Sequence, residues 1–421
     1  MPYKKHGRTY DLVVFGATGY TGQYTAEYIA RGLPTDVKWA IAGRSQEKLA
    51  KVAAEVKKIN PDRIQPAIEI CNVDNDELAQ LAKKTFVLIS IVGPYGLYGE
   101  PAFKACAENG THYVDVNGEP PFTRNMIRKY EAAAKASGAL MFPQSGIESA
   151  PADIAAAEVA RVIREQLQAK TGDVTAAVRF KALPSGGTLL TALTAFDTFS
   201  LSELRSSMAP YALSPIPRPN GHRGHPPLLS YLTGGMYVKH LGRVMTAMTG
   251  TTDAALVERT WGLLESMPSR SAEAYGPNFS FMEYSSARDW LQGAKAHWML
   301  VITGFLIATL PPLRWLAKRH IYAPGTGPSR EVAQKDIFRY RAVGIPDVEG
   351  KPSKVAYTSA DYKGGIYHLT GVLASEVALA ILKDEHKLEE GGVYTVSLLG
   401  QSFVSRLGDV GFKFETKLVD A

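Results

Sequence analysis

The stretch YDLVVFGATGYTG, at Tyr10–Gly22, carries the main indication of the fold. Its apolar run with two adjacent valines predicts a parallel strand that is buried on both faces. Gly16, Gly19 and Gly22 follow, and helix-like sequence continues to Arg31. In a dinucleotide-binding turn, such glycines permit the tight bend, the approach of a pyrophosphate to the helix N-terminus, and close packing of helix on strand. We therefore predict such a site, the alternative being a tight turn without a ligand.

Strands and helices alternate through the first third of the chain. Beyond the first strand, apolar runs predict strands at Val37–Ala42, Ile68–Val73, Phe86–Ile91, His112–Val116 and Leu140–Pro143. The alternation predicts a parallel, doubly wound sheet. We expect an α/β protein in which residues 1–150 form a Rossmann domain.

The end of the second predicted strand indicates which cofactor binds. An NAD site usually has Asp or Glu there, whereas this chain has Gly43-Arg44-Ser45. Arg44 can form paired hydrogen bonds with a 2′-phosphate and Ser45 can add a hydroxyl, which favours NADP(H). An ion pair between Arg44 and a carboxylate is the alternative. Asp74 is placed to meet the adenine end, although helix capping by nearby Asp76 is equally ordinary.

Two further loops lie where the nicotinamide is expected, at the carboxyl ends of the strands. In the first, Gly93 and Pro94 would shape the backbone, and Tyr95 and Tyr98 could stack on a ring or donate a proton. A packed surface turn is the alternative. In the second, Asp115 ends the next strand and could orient a substrate or move protons. Helix capping or ion pairing would be the structural explanation.

Composition and charge exclude several classes of protein. The 421 residues are 45% hydrophobic and 21% charged, which argues against a disordered, collagen-like or coiled-coil chain. The net charge of +6 is not gathered into a basic block, so we predict no nucleic-acid partner. Only Cys71 and Cys106 are present, which favours a reducing compartment. Met1–Arg8 has no apolar core behind it, so we expect no secretory signal.

One apolar segment, Trp298–Leu313, bears on location. As a helix it would be about 24 Å long, against a bilayer core of about 30 Å. With Arg314, Lys318 and Arg319 behind it, it predicts an interfacial segment whose basic cluster meets anionic lipid. A full span, a buried helix or a dimer contact are the alternatives. We expect the cytoplasmic face of a membrane or lipid droplet, and otherwise the cytoplasm.

Motifs for other chemistries are absent from the sequence. His222 and His225 lie in a loop rich in Pro and Gly, without the cysteines or carboxylates of a metal site, so we predict no metal. No Tyr-x-x-x-Lys proton relay and no Gly-x-Ser-x-Gly nucleophile turn occurs.

Several motifs together resemble the saccharopine dehydrogenase-like oxidoreductases, a group that includes trans-acting enoyl reductases of bacterial lipid and polyketide pathways. They are VVFGATGYTG (13–22), WAIAGRS (39–45), GPYGLYGEP (93–101), HYVDVNGE (112–119), GIESAPAD (146–153) and the C-terminal segment 391–415. The chain departs from the family's usual Phe-Asp-Ser by having Ile147-Glu148-Ser149, so we do not carry over the family's substrate contacts to those positions.

The resemblance implies a Rossmann domain that binds NADP(H), a second α/β domain for substrate binding or dimerisation at residues 151–365, and a C-terminal segment, 366–421, that returns to the first domain. The predicted cofactor residues are Gly16, Thr18, Gly19, Tyr20, Gly22, Arg44, Ser45, Asp74, Gly93 and Pro94. The predicted catalytic residues are Tyr95 and Asp115.

The leading functional hypothesis is an NADP(H)-dependent reductase of a conjugated C=C bond. The resemblance implies this reaction. The substrate would be apolar, derived from a lipid or a polyketide, and free or attached to a carrier. One alternative is a membrane- or lipid-droplet-associated Rossmann protein with an interaction or redox-sensing role, with or without a homodimer. Another is a reductase of C=O or C=N bonds.

Overall fold

The structure, a computed structural model, describes residues 3–218, 228–320, 322–323, 325–384, 388 and 391–421. Its strands form two sheets of seven. The strands are β1 (Tyr10–Phe15), β2 (Trp39–Gly43), β3 (Ala67–Ile70), β4 (Thr85–Ser90), β5 (His112–Asp115), β6 (Leu140–Phe142), β7 (Lys170–Lys181), β8 (Gly235–Val238), β9 (Gly242–Thr246), β10 (Ser280–Ser286), β11 (Ile337–Asp347), β12 (Lys354–Lys363), β13 (Gly392–Val393) and β14 (Glu415–Asp420). His222 and His225 lie outside the described residues.

The first sheet is wholly parallel and has the order β13-β6-β5-β4-β1-β2-β3. The chain reverses its direction of travel between β1 and β4, which places a crevice at the carboxyl ends of these two strands. Residues 11–15 of β1 and all of β2 are buried, as expected for strands covered by helices on both faces. The predicted doubly wound α/β sheet is confirmed.

Helices cover both faces of this sheet and continue into the second half. They are α1 (Tyr20–Gly32), α2 (Gln46–Ile59), α3 (Asn75–Lys84), α4 (Tyr95–Tyr98), α5 (Glu100–Asn109), α6 (Pro120–Ser137), α7 (Ala150–Val162), α8 (Gly186–Thr198), α9 (Leu201–Ser207), α10 (Leu228–Thr233), α11 (Gly250–Ser266), α12 (Trp290–Thr309), α13 (Pro311–His320), α14 (Arg330–Ala333), α15 (Ile366–Lys383) and α16 (Gln401–Asp409). Left-handed glycines end α5 and α6, at Gly110 and Gly138.

The second sheet has the order β14-β12-β11-β7-β10-β9-β8 and is mostly antiparallel, with one parallel pair between β7 and β10. The chain then returns to the first sheet. Helix α15 packs against α1, where the Tyr28 hydroxyl donates to Glu376 at 2.7 Å, and β13 pairs with β6. Both sheets therefore contribute to one continuous core.

The apolar segment forms an exposed helical pair, α12 and α13. Two helices of the described residues, α12 and α15, are long and apolar enough to cross a membrane by length and composition. In α15 83% of the apolar window is buried, as in a core helix, whereas in α12 only 6% is buried. Helix α12 begins at Trp290, eight residues before the predicted segment, because Asp289 caps it by accepting from the Gln292 amide at 2.8 Å. Helix α12 therefore does not match the alternative of a helix buried within the chain.

The basic cluster beside this segment differs from the prediction. Arg314 is buried, and both it and Lys318 pair with Asp197 of α8, at 2.9 and 2.8 Å. Arg319 stays at the surface and stacks on the Trp315 ring at 3.6 Å. Two of the three cations therefore hold α13 against α8, and only Arg319 is free to meet an anionic surface.

Candidate functional site

A cleft of about 1520 Å³ lies at the carboxyl ends of the first sheet. The loops that follow β1 to β6 form one side of it. Helix α8 and the segment at 325–330 close the opposite side. This is the place where the crevice of a doubly wound sheet binds its ligand.

The glycine turn at the end of β1 fits a dinucleotide pyrophosphate. A Cβ atom at Gly22 would lie 2.2 Å from the Gly16 carbonyl oxygen, so only glycine allows this approach of helix to turn. Gly19 caps α1 without a side chain, and Gly16, Thr18 and Gly19 line the cleft. The amides at the start of α1 therefore point to the cleft without a capping side chain, as phosphate binding requires.

The segment at 325–330 covers this turn and is fastened to α1. The Tyr20 hydroxyl donates to the Pro328 carbonyl at 2.8 Å, and Arg330 pairs with Glu27. Burial raises the pKa of the Tyr20 hydroxyl above its usual range. Tyr20 lines the cleft, but its hydroxyl is hydrogen-bonded to the covering segment.

Arg44 is exposed at the rim of the cleft, and in the described part of the chain it has neither a hydrogen bond nor an ion pair. It does not form the alternative ion pair, so its guanidinium is available to a 2′-phosphate. Ser45 also lines the cleft, and its hydroxyl caps α2 by accepting from the Lys48 amide at 3.4 Å.

Asp74 lies directly before α3, at its N-cap. Its carboxylate caps α3 by accepting from the Asp76 and Glu77 amides at 2.9 and 3.1 Å. It is not among the residues that line the cleft, whereas Asn72 and Val73 are. The structure therefore gives Asp74 the capping role, and a contact with the adenine end stays a prediction.

We expect Arg44→Asp to lower the affinity for NADPH by about 10- to 100-fold, the effect of one charge-assisted contact, and to leave NADH affinity nearly unchanged. Fluorescence titration with both cofactors measures this. Lys57→Asp is the matched control, because it makes the same charge change on exposed α2 outside the cleft. Equal affinities of the unmodified protein for NADPH and NADH would refute the role of Arg44.

The loop after β4 brings Gly93, Pro94 and Tyr95 to the cleft, as predicted for the nicotinamide end. The Tyr95 hydroxyl, however, donates to the Ser90 carbonyl at 2.9 Å and accepts from the Val116 amide at 3.3 Å. Burial raises its pKa well above the usual value. These contacts give the hydroxyl a structural role, which joins the loops after β4 and β5, and they do not favour the predicted role as proton donor.

We expect Tyr95→Phe to lower the free energy of unfolding by about 1–3 kcal/mol, because the Ser90 carbonyl and the Val116 amide lose their partner. Turnover should fall by far less than the ~100-fold that loss of a general acid costs. Chemical denaturation and steady-state kinetics measure the two effects. A hundredfold loss of turnover with unchanged stability would restore the catalytic role.

Asp115 is fully buried and does not line the cleft. Its carboxylate accepts from the Tyr113 hydroxyl at 2.9 Å, from the amide and side chain of Asn117 at 3.0 and 2.7 Å, and from the Gln144 amide at 2.9 Å. Burial raises its pKa to about 6 against the effect of these donors. These contacts organise the ends of β5 and β6 around Asp115 and do not favour its predicted catalytic role.

Two acidic residues do face the cleft beside these loops, Glu119 and Glu148. Glu119 accepts from the Tyr95 and Gly96 amides at 2.7 and 2.8 Å and so fixes the start of α4. Glu148 has no hydrogen-bond donor among the described residues, and burial raises its pKa to about 7. In the sequence, Glu148 stands out only as a departure from the family motif. Its surroundings come from distant parts of the chain, so no local signal could reveal them.

Neither cysteine forms a disulfide, and both are buried. Within the described ranges, no group of three or more His, Cys, Asp or Glu side chains is arranged to hold a metal ion.

A glycine turn and a free arginine at the switch point of a parallel sheet, with a second sheet domain behind them, define an NAD(P)-binding oxidoreductase. Residues 12–141 match the family model of the saccharopine dehydrogenase NADP-binding domain. The chain belongs to the saccharopine dehydrogenase-like oxidoreductase family and binds NADP(H), which confirms both predictions.

Three relatives and one solved structure are similar to the chain. A Mycobacterium tuberculosis protein named "Putative trans-acting enoyl reductase" is 31% identical over 97% of this chain and 98% of its own. A saccharopine dehydrogenase-like oxidoreductase from Bos taurus is 29% identical over 97% of both chains. A Caenorhabditis elegans lipid droplet localized protein is 32% identical over 48% of this chain and 49% of its own. Saccharopine dehydrogenase (L-Glu forming) from Saccharomyces cerevisiae shares the fold, with a TM-score of 0.55 at 12% identity over 97% of this chain and 99% of that one.

Proposed function

We propose that this protein is an NADP(H)-dependent reductase of a conjugated C=C bond in an apolar substrate, derived from a lipid or a polyketide and free or carrier-bound. The observation that carries the proposal is the apolar wall of the cofactor cleft. It is built from Leu190, Ala192 and Ala195 of α8, with Phe199, Leu204, Met208 and Met248 around them. These side chains offer an acyl chain a surface where it leaves water, which stabilises its binding. The enoyl reductase named among the relatives supports the choice of reaction.

Each residue of the cleft has a role that follows from its position. Gly16, Thr18 and Gly19 would hold the pyrophosphate at the start of α1, and Arg44 the 2′-phosphate. When bound, NADPH supplies a hydride. Glu119 keeps the loop of Gly93 in place through the α4 amides, and the apolar wall excludes water from the reacting end.

The proposal is tested by following NADPH oxidation with enoyl thioesters of increasing chain length. With deuterated NADPH, the label should appear at the β-carbon of the product, and longer chains should lower KM through contact with the apolar wall. A label at a carbonyl or imine carbon would instead favour the reductase of C=O or C=N bonds. Cofactor binding without turnover of any of these compounds would favour the interaction or redox-sensing role.

We also propose that the exposed apolar face of α10, α12 and α13 lies on a lipid surface at the cytoplasmic side. Leu229 and Leu232 of α10 and Met299 and Phe305 of α12 are largely exposed, and the helices contact one another. Exposed apolar side chains gathered on neighbouring helices indicate an interaction site. The lipid droplet localized relative supports lipid as the partner. Because α13 packs on α8, the lipid surface would adjoin the wall that we assign to the substrate.

A further inference from the structure

Glu148 is an acidic residue of the cleft that has neither a hydrogen bond nor an ion pair among the described residues. It follows β6 in the turn that leads to Ser149, the N-cap of α7. Its carboxyl group lies so close to Gly118 that a Cβ atom there would be 2.3 Å from Oε2. It lines the same cleft as Gly93 and Pro94, and no described donor satisfies it. By contrast, Glu119 beside it is engaged by two amides.

The charged side chains that act on Glu148 are all carboxyl groups. Glu119 faces it from the β5–α6 loop, Asp253 from α11 and Glu283 from β10. Asp253 and Glu283 are both buried, and burial followed by the nearby Glu283 raises the pKa of Asp253 well above its ordinary value. Ser149 donates to Asp253 at 3.1 Å, and Thr249 donates to Glu283 at 2.8 Å.

This arrangement disfavours a negative charge on Glu148. Burial, then Glu119, then Glu283 raise the pKa of Glu148 from its ordinary value to about 7. A carboxyl group with a pKa near the working pH can hold a proton and still release it, which is the property of a general acid.

We propose that Glu148 is the proton donor of the reaction, an inference that rests on the proposed C=C reduction. Hydride from NADPH adds to the β-carbon, the C=C π bond breaks, and its electron pair moves onto the carbonyl as an enolate. The Glu148 O–H bond then breaks and the proton forms a new C–H bond at the α-carbon. The substrate gains two electrons and NADPH becomes NADP⁺. Solvent at the open cleft returns a proton to the Glu148 carboxylate.

The sign of the pH dependence follows from the raised pKa. Glu148 is protonated and competent below about pH 7, and turnover should fall tenfold per pH unit above it. Glu148→Gln should lower kcat by about 100-fold or more and abolish this limb of the pH profile. Glu283→Gln should move the limb to lower pH, because a like charge near Glu148 is lost. Glu165→Gln, the same change at an exposed position beyond α7, should leave rate and profile unchanged.

A readout on the free protein completes the test. Infrared difference spectra taken through pH 7 should contain a carboxylic acid signal that Glu148→Gln removes and Glu165→Gln retains. If the unmodified protein reduces enoyl thioesters and Glu148→Gln does so equally well, this inference fails and the proposed function stands. If no enoyl compound is reduced by the unmodified protein, the proposed function fails and the inference with it. Loss of turnover in Glu148→Gln without the infrared and pH-profile changes would mean only a structural role.

Discussion

Replacing Gly19 by valine should lower the affinity for NADPH and NADH alike by about 100-fold or more. The branched side chain would enter the space beside the α1 amides where we place the pyrophosphate, and it would displace charge-assisted hydrogen bonds. The fold should tolerate the change. Gly19 has φ −75° and ψ 167°, an ordinary extended conformation, and a Cβ atom there would lie 3.3 Å from the Gly16 oxygen. We expect a loss of about 1 kcal/mol or less in the free energy of unfolding.

Gly22→Ala is a comparison for stability, since its methyl group would meet the backbone of the turn itself. Its Cβ would lie 2.2 Å from the Gly16 oxygen, so the backbone must shift, at a cost of about 1–3 kcal/mol in stability. Calorimetric titration and denaturation would separate the two variants. If Gly19→Val binds NADPH as the unmodified protein does, the pyrophosphate lies elsewhere.

The sequence sufficed for the elements whose pattern is local. The apolar runs and the glycine spacing predicted β1, β2 and the turn between β1 and α1, because a buried parallel strand and a tight turn restrict residue type directly. The predicted third strand, Ile68–Val73, was too long at its end. Observed β3 stops at Ile70, and Val73 lines the cleft. An apolar residue near an edge strand can contact a ligand or pack in the core. The residue type alone does not show which of these two contacts it makes.

The sequence did not predict whether the side chains at the ends of the strands point into the cleft or into the protein. Tyr95 follows the Gly-Pro bend as expected, but the partner of its hydroxyl is the carbonyl of Ser90. Asp115 likewise turns inward to four donors, although its position at the strand end suggested the cleft. Two of the three carboxyl groups around Glu148 come from α11 and β10, more than 100 residues away in the chain, and only the tertiary structure brings them to it.

One face of α12 should decide whether the protein binds a lipid surface. Trp298, Ile302 and Phe305 lie at spacings of four and three residues, and so share one face of α12. Their exposures are 47%, 53% and 65%, so they contribute little to the core. Replacing all three by Glu should lower partition onto phospholipid vesicles by about 100-fold or more, because each apolar side chain contributes up to about 1.5–3 kcal/mol when it leaves water. Flotation with vesicles measures the bound fraction.

Exposed apolar residues elsewhere provide the control. Changing Ile64, Ile345 and Val348 to Glu makes the same substitution at positions of similar exposure away from α12, and should leave flotation unchanged. Arg319→Glu changes the charge by two units, so at ~1 kcal/mol per charge near the surface it should weaken binding to anionic vesicles by about 30-fold, and salt should remove the difference. Arg314→Glu should instead loosen α13 from α8, because Arg314 is paired with Asp197. If the unmodified protein stays unbound and the triple variant converts a dimer into a monomer, the face of α12 is a contact between two copies of the chain, and the lipid assignment is wrong.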